Sequence, residues 1–178
     1  MKKVLKIAAI VAGVLVVVVF AGGLLLPSAW HVERSRVIAA PAADIHAYVE
    51  DLAKWPLWSP FDKEDPAIVI DLGTPSRGVG AKRSWKSEKM GNGSMEVLRS
   101  DPATGVAFTL TMEGGFEPFA VSFGYEPAPG GTRVTWTDHG DLGSNPIHRW
   151  FGVLMDGMVG GMFEKGLADL EAVVVAKR

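Results

Sequence analysis

Residues 119–125 read FAVSFGY, residues 132–138 read TRVTWTD, and residues 145–176 read NPIHRWFGVLMDGMVGGMFEKGLADLEAVVVA. In the first run Phe119, Val121, Phe123 and Tyr125 share one parity, and Ala120, Ser122 and Gly124 share the other. A period of two is the pattern of a strand with one apolar face. Pro129-Gly130-Gly131 between the two runs is a turn signal, so they are expected to pair as a hairpin. The third stretch changes period. Ile147, Phe151, Leu154, Met155, Met158, Met162, Leu167 and Leu170 recur at helical spacing and form a broad apolar face. Asn145 suits the N-cap and Pro146 the first helical position. A sheet with one apolar face and a long helix with another can bury both against each other, the sheet wrapping the helix.

Working outward, residues 106–112 alternate in the same way, with Val106, Phe108, Leu110 and Met112 on one side. Shorter runs at 68–72, 79–86 and 94–99 are separated by glycine and proline turns, which predicts an antiparallel meander. Upstream, residues 31–39 read as a strand. A helix follows from Pro41, with Ile45, Tyr48, Val49 and Leu52 as its apolar stripe, and Trp55-Pro56 stops it. The expected class is α+β: a curved antiparallel sheet around a long C-terminal helix, in one domain over residues 30–178.

Residues 1–29 differ in kind. Residues 7–26, IAAIVAGVLVVVVFAGGLLL, carry no charge. A helix of ~20 residues at ~1.5 Å per residue spans the ~30 Å hydrocarbon layer. Lys2, Lys3 and Lys6 precede the run and Pro27 ends it, so one N-terminal membrane helix is expected. A cleaved signal peptide shares the basic start, and Val19-Phe20-Ala21 offers a cleavage point. The continuation through Leu24-Leu25-Leu26 favours an uncleaved anchor.

Composition removes several functions. The net charge is −2 and there is no cysteine. Charges of both signs are dispersed, so the basic footprint of a nucleic-acid binder is missing. Disulfides, thiolate catalysis and zinc–thiolate sites are excluded. His31, His46, His139 and His148 form no HxH or HExxH pattern. Asp62, Glu64 and Asp65 lack calcium-loop spacing and read as a solvated loop. No catalytic residue, metal site or cofactor is assigned.

Several stretches, in order and spacing, resemble a known superfamily. They are HVERSRVIAAPAADIHAYVEDLAKWPLWSPFD at 31–62, Asp65-Pro66, GVGAKRSW at 78–85, GNGSMEV at 91–97, GTRVTW at 131–136 and FEKGLADL at 163–170. Together they resemble the START/Bet v 1-like superfamily, and within it the bacterial SRPBCC proteins of polyketide cyclase/dehydrase type. The resemblance implies a helix-grip fold with a hydrophobic cavity between sheet and C-terminal helix. It supplies no universal catalytic residue. In a bacterium, the lysine bias before the apolar run predicts a single-pass inner-membrane protein, N-terminus cytoplasmic and domain periplasmic or otherwise extracytoplasmic.

The candidate ligand-binding residues are Arg83, Trp85, Phe108, Phe123, Trp136, Asp138, Met155, Met158 and Met162. The methionines fall on the helix face expected to meet the sheet. Methionine makes an adaptable apolar wall, although the same spacing serves a plain core. If Trp136 points inward so does Asp138, and if Trp85 does so does Arg83. Buried charges require partners. Arg83 and Asp138 are therefore candidates for a polar anchor that orients a ligand head group; the other reading puts both on solvent or at a strand end. The expected function is membrane-tethered binding or transfer of a hydrophobic or lipid-like small molecule. The alternatives are a polyketide cyclase or dehydratase using Arg83, Asp138 and Tyr125, and an envelope protein-interaction or stress-response module. Oligomeric state is left open.

Overall fold

The computed structural model describes residues 1–114 and 117–177. A helix, α1 (Lys2–Leu25), leads after a short break into β1 (Ala29–Ile38). Helix α2 (Ala42–Val49), a 3-10 helix (Leu52–Leu57) and the single turn α3 (Phe61–Glu64) follow. Strands β2 (Val69–Leu72), β3 (Lys82–Lys86), β4 (Gly93–Asp101), β5 (Gly105–Met112), β6 (Phe119–Ala128) and β7 (Gly131–Asp141) precede the long helix α4 (Pro146–Val175).

Among the described residues the strands form one seven-stranded sheet in the order β1-β7-β6-β5-β4-β3-β2, every pair antiparallel. The meander from β2 to β7 is closed by β1, which returns to pair with β7. This is the expected helix-grip arrangement. The β6–β7 turn requires glycine: Gly130 has φ of 89°, and a Cβ on Gly131 would collide with the Ile38 carbonyl.

Alternation predicted the inner face of the central strands. Phe119, Val121, Phe123 and Tyr125 are buried, as are Val106 and Phe108, while Leu110 and Met112 pack against the core edge. Two element boundaries differ from expectation. β3 begins at Lys82 instead of residue 79, because Gly78 and Gly80 take φ of 74° and 84° and bend the chain before pairing starts. The helix after Pro41 ends at Val49. Asp51 then accepts from the Ala53 N–H at 3.2 Å and starts the 3-10 helix, which carries Pro56 within it.

Helix α4 divides into two halves. Phe163, Leu167, Leu170 and Val174 are buried under the sheet, whereas Ile147, Phe151, Leu154 and Met158 are exposed. The predicted apolar face is therefore only partly consumed by the core: Met155 and Val159 continue the buried side, and Ile147, Phe151, Leu154 and Met158 lie on another side of the helix. Ion pairs fix the helix on β1: Arg34 to Asp156 at 2.7 Å and Glu164 at 2.8 Å, and Arg36 to Glu171 at 2.6 Å. Asn145 caps the helix, accepting from the Ile147 N–H at 3.0 Å. Asn145→Ala is expected to destabilise the fold by about 1 kcal/mol, measured by chemical unfolding; an unchanged midpoint would show that this cap contributes nothing.

Candidate functional site

The interior lies between the inner face of β5–β7, the 3-10 helix and the buried half of α4. Aromatic rings fill it. Trp136 stacks on Phe163 with centroids 4.3 Å apart and planes 4° apart, and lies 4.6 Å from Phe123. Trp58 meets both Trp136 and Phe123 edge-on at 5.7 Å. Trp55 touches Phe108 at 5.6 Å. A Cβ on Gly166 would lie 2.7 Å from the Trp136 ring, so a glycine lets α4 sit this close. Of the candidate wall residues, Phe108, Phe123 and Trp136 are fully buried. Trp85, Met155 and Met162 are half-buried, and Met158 is exposed. The expectation that Met158 faces the sheet is corrected: Met155, Val159 and Gly160 hold the inner side of α4 at that height, and Met158 turns outward with Leu154.

Asp138 occupies the inward row, as the parity with Trp136 predicted. It pairs in register with Val32 on β1 and Val121 on β6, both apolar and buried. Its Oδ1 is buried and, among the described residues, finds no hydrogen-bond partner. Burial pushes the carboxyl up to about 7, offset in part by the His139 N–H. The indole N–H of Trp136 and that of Trp30, which sits over Gly140, are likewise buried without partners among the described residues. These polar atoms lie in an otherwise apolar interior, and an unpaired carboxyl there is costly to structure alone.

The proposed partner of Asp138 is elsewhere. Arg83 is also inward and buried, but four strand spacings separate β3 from β7, on the order of 15–20 Å. Arg83 instead makes a two-pronged pair with Asp62, Nη2 to Oδ1 at 2.6 Å and Nη1 to Oδ2 at 3.2 Å. Its guanidinium also stands 5.6 Å from the Trp55 ring centre. The Arg83–Asp138 anchor is thus replaced by an Arg83–Asp62 pair at the β3 end. The acidic loop is correspondingly not a solvated one. Asp65 is buried, accepts from the Ser87 hydroxyl at 2.7 Å and from the Ala67 N–H at 3.0 Å, and these bonds hold its carboxyl below the usual range.

A second polar cluster had no signature in the sequence because its members come from three elements. His46 on α2 has Nε2 3.1 Å from the Ser100 hydroxyl of β4 and 3.3 Å from Glu50 Oε2. Ser100 donates to Glu50 at 2.9 Å. Tyr125 of β6 packs edge-on to His46 at 6.0 Å; its hydroxyl is buried and pushed up, by burial first and then by the Glu50 charge. The cluster joins a serine hydroxyl that reaches a carboxylate and an imidazole whose donor or acceptor role depends on its tautomer. It braces α2 on the sheet. An open depression of about 300 Å³ lies on the outer side of β2–β5, lined by Asp71, Lys82, Ser84, Glu96 and Thr109 among others, away from the interior.

The fold and this interior meet a known description. Residues 29–175 match the family model for polyketide cyclase / dehydrase and lipid transport. The chain belongs to that family. The polyketide cyclase/dehydrase and lipid transport assignment covers the whole helix-grip domain and leaves out α1. Solved structures share its fold. One is from Rhizobium leguminosarum, with a TM-score of 0.59 at 18% identity, covering 84% of this chain and 97% of that one. Another is from Thermobifida fusca, with a TM-score of 0.59 at 21% identity, covering 81% and 92%. The di-domain ARO/CYC StfQ of the steffimycin biosynthetic pathway gives a TM-score of 0.62 at 9% identity, covering 84% of this chain and 52% of that one. No curated protein matches the sequence. For this member of the polyketide cyclase/dehydrase and lipid transport family, hydrophobic-ligand binding or cyclase chemistry is the supported class of activity.

Proposed function

We propose that this protein binds an amphipathic, lipid-like molecule between α4 and the sheet while α1 holds it in a membrane. The observation that carries the reading is the docking of α4, the roof of the interior, directly onto α1. The Trp150 indole donates to the Val19 carbonyl at 2.9 Å, and Arg149 Nη1 donates to the Leu24 and Leu26 carbonyls, each at 3.2 Å. α1 itself is long and apolar enough to cross a bilayer and is bare over nearly all its length. The docked residues straddle Ala21, which supports a retained anchor over a cleaved signal. The flanking lysines support a cytoplasmic N-terminus and an extracytoplasmic domain.

In this reading an apolar chain enters beside the half-buried Met155 and Met162, at the edge of the contact between α4 and the core. Trp136, Phe123 and Phe108 form the apolar floor, and Asp138 takes the polar head. Arg83 and Trp85 lie at the far end. Entry requires α4 to shift from the rings it packs on, driven by burial of ligand surface at roughly 25 cal/mol per Å². In a transfer assay from donor to acceptor vesicles of bacterial lipid, the full chain is expected to move lipid. A form lacking α1 is expected to keep binding but transfer more slowly. Equal transfer by both forms would remove the tether from the account.

Asp138 favours a second reading. A carboxyl that keeps its proton near neutral pH is suited to general acid catalysis on a bound polyketide-like substrate. Asp138→Asn then abolishes turnover and spares binding, whereas a pure carrier shows no turnover to lose.

A further inference from the structure

Helix α4 carries an apolar stripe that the domain does not use. Ile147, Phe151, Leu154 and Met158 fall on one line of the helix, and Leu154 and Met158 are 55% and 58% exposed. Val153 and Trp150 widen the patch. Along the same line Gly161 and Met162 are followed by Lys165, and the outward face of the other half carries Lys165 and Asp169, with Lys63 and Lys165 both paired to Asp169. The outward face of one helix is therefore charged over the domain and apolar at one end only. That end is the one that meets α1.

Contact with α1 is close. A Cβ on Gly23 would collide with the Pro146 carbonyl, and one on Gly22 would lie 2.8 Å from the Trp150 ring. Val16 and Leu15 of α1, one turn beyond this crossing, stay exposed. The two helices thus cross at residues 19–26 and then diverge, each leaving apolar side chains bare. Exposed apolar surface of this extent, continuous with a bare apolar helix, has a lipid surface as its matching partner.

We infer that the N-terminal half of α4 is embedded in the membrane interface on the side where α1 emerges, with Ile147, Phe151, Leu154 and Met158 inserted among acyl chains. This rests on the reading of α1 as membrane-held and adds that the roof helix is itself a lipid contact. Entry beside Met155 would then start from the bilayer surface and not from water.

The absence of cysteine makes the test direct. Single-cysteine variants of the full chain, Leu154→Cys, Val16→Cys and Leu98→Cys, are labelled with an environment-sensitive fluorophore and reconstituted in phosphatidylethanolamine/phosphatidylglycerol vesicles. Leu98 is exposed on the sheet and reports water. The expected result is blue-shifted emission and several-fold quenching by spin-labelled lipid at 154 and 16, with neither at 98. If 16 is quenched while 154 behaves like 98, the inference falls and the tether stands. If neither is quenched, the tether falls too. Quenching at 154 alone supports the embedded stripe without a spanning α1. Shielding at 154 from aqueous iodide without quenching by lipid points to a second copy covering the stripe and overturns the inference. Phe151→Cys repeats the measurement should Leu154→Cys fail to fold.

Discussion

Asp62→Ala is expected to destabilise the domain by about 3–5 kcal/mol, because it strands the Arg83 guanidinium in the interior. The side chains of the pair are 4% and 5% exposed, so water replaces neither partner. A surface pair of the same length is worth about 0–1 kcal/mol. Arg83→Met is expected to destabilise by the same amount, leaving a buried carboxylate. The double variant Asp62→Leu with Arg83→Met removes both charges and is expected to recover most of the loss, since a buried pair is often no more stable than a well-packed apolar substitute. Chemical unfolding of the four forms in micelles checks this. Single variants within about 1 kcal/mol of the parent would mean that water reaches the pair.

Asp138 is expected to make stability fall as pH rises. Folded, the carboxyl keeps its proton to about pH 7; unfolded, it loses it near pH 4. Between those values the folded state binds more protons than the unfolded one, so each step upward in pH favours unfolding. The cost is absent below about pH 4 and complete above about pH 7. Asp138→Asn cannot ionise. The stability difference between the variant and the parent should therefore move in the variant's favour by about 3 kcal/mol from pH 4.5 to pH 8. Unfolding curves at the two pH values read this directly. A constant difference would mean that the Asp138 carboxyl is solvated.

Much of this was legible along the chain. The parity of Phe119–Tyr125 and of Trp136 with Asp138 placed those side chains correctly, because a strand leaves two choices and burial selects one. The partner of Arg83 was not legible. Two inward charges in different strands suggested each other, but parity carries no information on how many strands lie between them. Asp62 looked like part of a solvated loop because its neighbours Lys63 and Glu64 are polar, yet α3 turns it under the sheet. The His46–Glu50–Ser100–Tyr125 cluster was invisible for a related reason: α2, β4 and β6 meet only in space. The helical period of α4 was read correctly, but apolar residues cover more than one side of it, and period alone cannot say which side the sheet takes. Met158 and Leu154 therefore looked like core and proved to face outward, while Met155 and Val159 pack inward.

The account's central claim is that the interior takes a lipid-like molecule at the membrane. Native mass spectrometry of the full chain released from its own membrane in lipid discs, followed by organic extraction, tests it most directly. The parent should retain one amphiphile through detergent exchange, and Met155→Trp, which fills the entrance, should lose it. A parent that carries no more lipid than Met155→Trp would contradict the claim.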